Sequence, residues 1–177
     1  MRTPRPRRLS RHLDPRFRTY GLTAALGLTA LGGVAPQCAP APAPAVVQVA
    51  DVQTSVVGSV NQQRALAGRP ALTVDGRLTA AAQGHSDDMA GRQTMSHTGT
   101  GGTDGGQRIS NAGYQWSTWG ENIAAGQPTP TDVMAAWLAS PPHRANILSD
   151  AVSQIGVAAT TGANGVVYWT MVIAAAG

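Results

Sequence analysis

The stretch GENIAAGQPTPTDVMAAWLASPPHRANIL, residues 120–148, contains a helix start, a helix break and two side chains that are rare in this sequence. Glu121 is the only glutamate among 177 residues, and His143 is one of four histidines. Another histidine, His97, lies upstream in the small-residue segment MSHTGTGGTDGG. A chain with so few carboxylates and imidazoles has few ways to build a polar site. We therefore predict that His97, Glu121 and His143 meet in one cleft.

The second half of this stretch predicts two successive helices. Thr129 is a suitable N-cap, Pro130 fits the first helical position, and Asp132 suits the first turn. The helix should break at the following Ser-Pro-Pro segment, where Ser140 can cap a shorter helix. His143 then lies in the first turn of that helix, where the positive end of the helix dipole favours a neutral imidazole.

Two further helices are indicated closer to the N-terminus. Apolar residues at helical spacing start near Val52, and Gly68 should end that helix. Asn61 and Arg64 lie one turn apart on it, and the pair is either an exposed polar face or a tie to a neighbouring backbone. A second helix starts after an Asp cap and carries one apolar stripe. The stripe consists of Leu78, Ala81, Ala82, His85 and Met89.

The histidine in that stripe, His85, is interpreted as a core residue rather than a ligand, because burial requires only hydrogen bonds to its ring. Residues 94–106 are predicted to form a Gly-rich loop, on which His97 is either solvent-exposed or part of a site. A short helix is expected at residues 108–113. Trp116 and Trp119 then precede the lone glutamate, which indicates a partly dry cleft wall.

The C-terminal part of the chain predicts a β-hairpin. Residues 154–160 and 166–173 are rich in β-branched and aromatic side chains, as expected for strands. The turn between them contains Asn164-Gly165, which favours the positive φ values of a hairpin turn. Helices followed by a terminal hairpin indicate an α+β fold rather than alternating βαβ units.

The positive charge of the chain is concentrated at its N-terminus. Seven arginines within residues 1–20 face only Asp14 and give +6 there, whereas the remaining six arginines, seven aspartates and Glu121 give −2, which together make the net +4. The rest of the chain has no basic stripe. We therefore expect no nucleic-acid partner.

This N-terminal charge precedes a short apolar segment, which is typical of a secretory signal peptide. We predict a signal peptide at residues 1–35, with an uncleaved anchor as the alternative, a Pro/Ala-rich linker at 36–50 and one folded domain at 51–177. The mature form should have no membrane span and be secreted or associated with the cell envelope. The Arg7-Arg8 pair is compatible with twin-arginine export, whereas lipidation of Cys38 is disfavoured because Gln37, not a small residue, precedes it.

Five ordered motifs resemble the bacterial branch of the CAP superfamily, which includes cysteine-rich secretory proteins, venom allergens and plant pathogenesis-related proteins. They are Ser96-His97-Thr98-Gly99, Gly113-Tyr114, Gly120-Glu121-Asn122-Ile123-Ala124, Trp137 with Ser140-Pro141-x-His143-Arg144-x-Asn146-Ile147-Leu148, and Ile155-Gly156-Val157. Asn61-x-x-Arg64 and His85-Ser86-x-x-Met89-Ala90 fit the same pattern. The resemblance covers residues 56–173.

This resemblance implies a three-layer α-β-α sandwich with a cleft lined by His97, His143 and Glu121. Asn122 and Ser140 are expected to line the cleft as well. Ser140 stands where the eukaryotic pattern usually has a second glutamate, so the acidic pair is incomplete. The disulfides of the family are absent, as the cysteine count requires.

The resemblance favours a non-enzymatic, monomeric extracellular binding module for a lipid, a partner protein or a divalent metal. The alternative is a metal-assisted hydrolase in which Glu121 acts as general base, since two histidines and one glutamate can hold a catalytic zinc. A triad using Ser96 or Ser140 is disfavoured because neither serine lies in a Gly-x-Ser-x-Gly setting. A third hypothesis is that His97, Glu121 and His143 form a hydrogen-bonded network with a structural role only. No catalytic residue or cofactor is assigned firmly; His97, His143 and Glu121 are the candidates for catalysis and for holding Zn²⁺.

Overall fold

The computed structural model describes residues 49–177. Five α-helices and four strands in this part of the chain form the domain, in this order: α1 (Val49–Leu66), β1 (Thr73–Val74), α2 (Gly76–Arg92), α3 (Gly105–Asn111), β2 (Trp116–Ala125), α4 (Pro130–Ala139), α5 (Pro141–Ile147), β3 (Gln154–Thr161) and β4 (Val167–Ala176). The first helix thus begins at Val49, two residues before the start predicted for the folded domain. The predicted signal peptide, the linker up to residue 48 and Cys38 lie outside the described residues.

The four strands form one mixed sheet in the order β1-β3-β4-β2. β1 runs parallel to β3, and the other two pairings are antiparallel. The predicted hairpin is confirmed as β3 and β4. In its turn only Gly165 has a positive φ, of 74°. The expectation that Asn164 would also have a positive φ is wrong. Its side-chain oxygen accepts from the Val166 N–H at 3.1 Å, and this bond closes the turn with Asn164 at negative φ.

Helices cover both faces of the sheet. On β4, Trp169, Met171 and Ile173 pack with α1, α4 and α5, whereas Val172 and Ala174 pack with α2 and α3. This division follows from the alternation of side chains along a strand. The α+β class and the three-layer α-β-α sandwich are thereby confirmed.

The predicted apolar stripe of α2 is fully packed against the sheet. Leu78 and Met89 have no exposed surface, and burial of side chains of this size stabilises a fold by about 2 kcal/mol each. The helix approaches β3 so closely that a Cβ on Gly156 would lie 2.2 Å from the Leu78 carbonyl carbon. Glycine is therefore required at this crossing. As predicted, Asp75 caps the helix by accepting from the Arg77 N–H at 2.8 Å.

On the opposite face, the Asn61 and Arg64 pair of α1 ties the helix to neighbouring backbone, the second of the two interpretations. The Asn61 amide exchanges two hydrogen bonds with the backbone of Leu72, at 3.0 and 2.8 Å. Arg64 is 1% exposed, and its guanidinium donates to three carbonyls. These belong to Pro70, Ile147 and Ser149, at 2.7, 2.9 and 2.7 Å.

Three local predictions require correction. The Gly-rich segment 94–106 is not a loop throughout, because α3 already begins at Gly105, where Asp104 and Gln107 form a capping box. The predicted helix at 108–113 is thus displaced towards the N-terminus. Residues 116–125 form the strand β2, which the pattern did not reveal because glycine and alanine dilute its alternation. Ser140 precedes α5 but makes no side-chain capping bond.

Candidate functional site

Glu121 lies on β2 with its side chain buried towards the α2 and α3 layer. The side chain is 3% exposed, and both carboxylate oxygens accept hydrogen bonds. Oε1 accepts from His97 Nδ1 at 2.8 Å, and Oε2 accepts from Arg108 Nη2 at 2.7 Å. A buried carboxylate is stable only with such partners, because desolvation penalises an unpaired charge. Glu121 is therefore the centre of a charged hydrogen-bonded cluster.

Arg108 of α3 supplies the positive charge of this cluster. Its guanidinium also donates to the carbonyls of His97, at 3.0 Å, and Thr103, at 2.8 Å. The position of α3 fixes the arginine, since Trp119 packs over Gly105 and Gly106, where a Cβ would lie 2.5 and 2.8 Å from the indole. One side chain thus joins α3, the loop before it and β2.

His97 is the part of the cluster that reaches solvent, with a side chain that is 60% exposed. Because a carboxylate accepts, Nδ1 carries the proton, and Nε2 of a neutral ring is left as an acceptor directed away from Glu121. The loop that carries His97 is held to α2 by Asp88, which accepts from the Thr100 hydroxyl and from the Thr100 N–H at 3.2 Å. His97 is therefore an exposed imidazole on an anchored loop.

His85 lies beneath this cluster and is buried, which confirms its assignment to the core. Its Nε2 donates to the Ser96 carbonyl at 2.9 Å and lies 3.9 Å from the Glu121 carboxylate. Burial lowers the pKa of His85, the Glu121 charge opposes that effect, and the Arg108 charge reinforces it. The ring is thus neutral near pH 7.

His143 approaches the cluster from the other side of β2. It lies in the first turn of α5 and lines a cavity of about 230 Å³ together with Ser140, Met95, Ile123 and other residues. Burial lowers the pKa of His143, and the nearby His97 lowers it further. The ring is therefore neutral at physiological pH, as predicted, although burial rather than the helix dipole is the main cause.

The structure thus brings His97 and Glu121 into direct contact and places His143 in the adjoining cavity wall with Ser140. Asn122 is different, because it is fully buried on the opposite face of the sheet. Its amide donates to the His143 carbonyl at 3.0 Å and accepts from Asn146 Nδ2 at 2.8 Å. Asn122 positions α5 rather than presenting its side chain to a ligand.

Within residues 49–177, no three His, Cys, Asp or Glu side chains are grouped so that they could hold a metal ion. Both oxygens of Glu121 are already bonded, which suits an outer role in orienting His97 rather than direct ligation. A metal at this place would have His97 Nε2 and the His143 ring as its protein ligands. Such a two-imidazole set fits zinc in kind but leaves the remaining coordination to water or a ligand.

In the described part of the chain no second carboxylate pairs with Glu121, and Asp88, which acts electrostatically on the same His85 ring, is bonded to Arg92 and Thr100. The aspartates nearest in sequence have other partners: Asp104 caps α3, Asp132 bonds the Thr129 hydroxyl at 2.5 Å, and Asp150 pairs with Arg69. A paired-carboxylate acid–base mechanism therefore has no support in this arrangement.

Arg108 is the site residue that the motif analysis missed. One signal was available, since a single glutamate in an apolar chain needs a counter-charge if it is buried. The sequence does not indicate which of the six arginines after residue 20 provides it. Trp137, rather than Trp119, is the tryptophan that lines the His143 cavity.

Comparison with known proteins identifies the family. Residues 57–173 match the sequence profile described as "Cysteine-rich secretory protein family". The Bacillus subtilis protein YkwD is 34% identical over 109 residues, which are 62% of this chain and 42% of that protein. This chain therefore spans less than half the length of that relative.

Solved structures with the same fold are described as extracellular or surface proteins. A Bacillus anthracis extracellular protein containing an SCP domain superposes with a TM-score of 0.66 at 25% identity, over 71% of this chain and 41% of that chain. An outer surface protein of Borrelia burgdorferi superposes with a TM-score of 0.65 at 20% identity, over 70% of this chain and 92% of that chain, and shows the fold alone. None of the helices within residues 49–177 is both long and apolar enough to cross a membrane.

Proposed function

The chain belongs to the cysteine-rich secretory protein (CAP) family, and on that premise we propose that it is an extracellular, monomeric, non-enzymatic binding module. Its ligand occupies the cleft formed by His97, Glu121 and His143. The proposal rests mainly on the state of Glu121, whose two oxygens are bonded to His97 and Arg108 and whose side chain is 3% exposed. A carboxylate committed in this way stabilises the cleft and is not available as a general base.

The adjoining cavity indicates what the cleft accepts. Its volume is about 230 Å³, and apolar side chains such as Met95, Ile123 and Trp137 line it beside Ser140 and His143. An acyl chain or an apolar side chain of a partner protein would fill the apolar part, and a polar head group would meet the imidazoles. A divalent metal held by His97 and His143 is compatible with the same cleft.

Ligand binding is tested with dodecanoate and with Zn²⁺, each titrated into the full chain and followed by calorimetry and tryptophan fluorescence. Because Trp137 lines the cavity, an occupied cleft should change its emission. We expect saturable binding of one or both probes, loss of zinc binding in His97→Ala and His143→Ala, and only weakened zinc binding in Glu121→Gln. His12→Ala, in the N-terminal segment that precedes the described residues, is the matched control for histidine removal. Failure of both probes up to about millimolar concentration, or binding unchanged in His143→Ala, would refute the cleft as a ligand site.

One observation favours a second candidate, the hydrolase. The buried carboxylate of Glu121 orients the imidazole of His97 and leaves Nε2 of an exposed ring free to accept a proton, as in an acid–histidine pair. Turnover of p-nitrophenyl butyrate or of a peptide library by the full chain, abolished in both Glu121→Gln and His97→Ala, would replace the binding proposal with this one. No turnover in the wild-type chain with or without Zn²⁺ would exclude it for these substrates.

A further inference from the structure

A second cavity, of about 440 Å³, lies on the α2 and α3 side of the sheet, away from the His143 cavity. Small apolar residues of the two helices line much of it, and the rest includes Asp88 and Asn111 of the same helices and Thr100 and Thr103 of the intervening segment. The helix residues are Ala80, Ala81, Gly84 and Ala112. A cavity of this size and character is within the range of small-molecule sites in proteins.

Two buried polar atoms belong to side chains that line this cavity, His85 Nδ1 and Arg108 Nε. Neither atom has a hydrogen-bond partner within residues 49–177, although His85 is fully buried and the side chain of Arg108 is 12% exposed. Buried polar atoms are nearly always paired in native proteins, because an unpaired one costs about 1–3 kcal/mol. Such a pair beside one cavity needs an explanation.

The two atoms have complementary roles. The Ser96 carbonyl can only accept, so His85 Nε2, at 2.9 Å, carries the ring proton. Nδ1 of the neutral ring is therefore an acceptor, whereas the Nε–H of Arg108 is always a donor. A hydroxyl group satisfies both, since its hydrogen is donated to His85 and its oxygen accepts from Arg108.

We propose that this cavity is a binding site for a small apolar molecule that carries one hydroxyl group, such as a phenol or a short aliphatic alcohol. The hydroxyl bridges His85 Nδ1 and Arg108 Nε, and the apolar body packs against the alanines of α2 and α3. Entry requires a small outward shift of the cavity wall, because both atoms are covered in the present arrangement.

This site differs from the cleft of the proposed function in position and in ligand, so either can fail without the other. His85 and Arg108 nevertheless link the two, since Arg108 also bonds Glu121 and His85 lies 3.9 Å from it.

The test compares phenol, anisole and toluene as probes of the full chain, followed by ¹H–¹⁵N NMR. Phenol can donate and accept, anisole can only accept, and toluene can do neither. We expect saturable binding of phenol, with amide shifts concentrated at residues 80–85, 99–103 and 108–112. Anisole and toluene should bind at least about tenfold more weakly, the factor that corresponds to one lost hydrogen bond of typical strength.

Two variants and one control locate the site. Gly84→Leu should abolish phenol binding by filling the cavity, because a Cβ at this position meets no atom within 4 Å. Gly91→Leu is the matched control on the same helix, with equally open surroundings outside this cavity. His85→Gln retains an N–H for the Ser96 carbonyl and removes the Nδ1 acceptor, so phenol should then bind no better than anisole.

The proposal is overturned if phenol does not bind, if toluene binds as well as phenol, or if phenol binding survives in Gly84→Leu. Thermal unfolding of each variant shows whether it is folded. Should His85→Gln fail to fold, the three probes on the wild-type chain and on the two glycine variants still decide the matter.

Discussion

Among the described residues, each face of the sheet contains one arginine that donates several hydrogen bonds to other elements, and the two arginines differ in their partners. Arg64, in α1, donates to three backbone carbonyls and pairs with no carboxylate among residues 49–177. Arg108, in α3, donates to two carbonyls and to Glu121, and its Nε has no partner among the described residues. Arg64 thus joins backbone segments, whereas Arg108 neutralises a buried carboxylate next to a cavity. We therefore propose that the Arg64 side of the domain is structural and that the Arg108 side is the one that binds a ligand.

The largest effect is expected from Arg64→Met. Removal of three hydrogen bonds from a buried charged donor should lower the free energy of unfolding by about 4 kcal/mol, because the three carbonyls lose their partner inside the protein. Urea unfolding of the full chain measures this loss. Arg64→Lys keeps the positive charge but has fewer N–H donors, so its free energy of unfolding should fall by less than that of Arg64→Met.

The same variant also tests the comparison itself. If Arg64 is purely structural, the folded fraction of Arg64→Met binds dodecanoate or Zn²⁺ as the wild type does. A changed dissociation constant at equal folded fraction would show that the α1 face is coupled to the cleft.

Arg108→Met should have the next largest effect, a loss of about 3 kcal/mol in unfolding free energy, since Glu121 remains buried without its counter-charge. The double variant Arg108→Met/Glu121→Gln removes that charge as well and should recover about 1 kcal/mol of the loss. Urea unfolding of the wild type, the two single variants and the double variant gives the coupling energy.

Unlike Arg64→Met, Arg108→Met should also impair the cleft, because the His97 carbonyl loses its anchor. A double variant no more stable than Arg108→Met would mean that the ion pair is not the source of the loss.

The smallest predicted change in stability concerns Asp88, on the Arg108 side of the sheet, and it depends on pH. Burial acts to raise the pKa of Asp88, but hydrogen bonds from Arg92 and Thr100 outweigh it and lower this pKa to about 2. A carboxyl whose pKa is depressed in the folded state stabilises the protein above its unfolded pKa of about 4, and this contribution is lost as the pH falls towards 2.

Asp88→Asn should therefore be less stable than the wild type at pH 6, and the difference should shrink between pH 4 and pH 2. Hydrogen exchange should show that residues 98–103 open first in the variant, since Asp88 holds Thr100. The elements that Arg64 joins should keep their protection. A stability difference that is independent of pH would contradict the role given to Asp88.

The sequence determined the elements whose signals are local. The stripe of α2 from Leu78 to Met89, the Thr129 cap of α4 and the β3–β4 hairpin follow from side-chain periodicity and turn chemistry, which act within a few residues. Motifs in fixed order also identified the family, and the rarity of glutamate and histidine singled out Glu121, His97 and His143.

Only the tertiary structure decided where these groups meet and what they contact. In the sheet, β2 pairs with β4, and the hydrogen bonds of this pairing hold residues 116–125 as a strand although their sequence shows little alternation of apolar and polar side chains. The packing of Trp119 over the start of α3 brought Arg108 to Glu121, and alternation along β2 sent Asn122 to the opposite face of the sheet. Contacts between residues far apart in sequence depend on the summed packing of the whole domain, and no local pattern encodes them. For this reason the sequence alone could single out Glu121, His97 and His143 but not Arg108, the arginine that bonds Glu121.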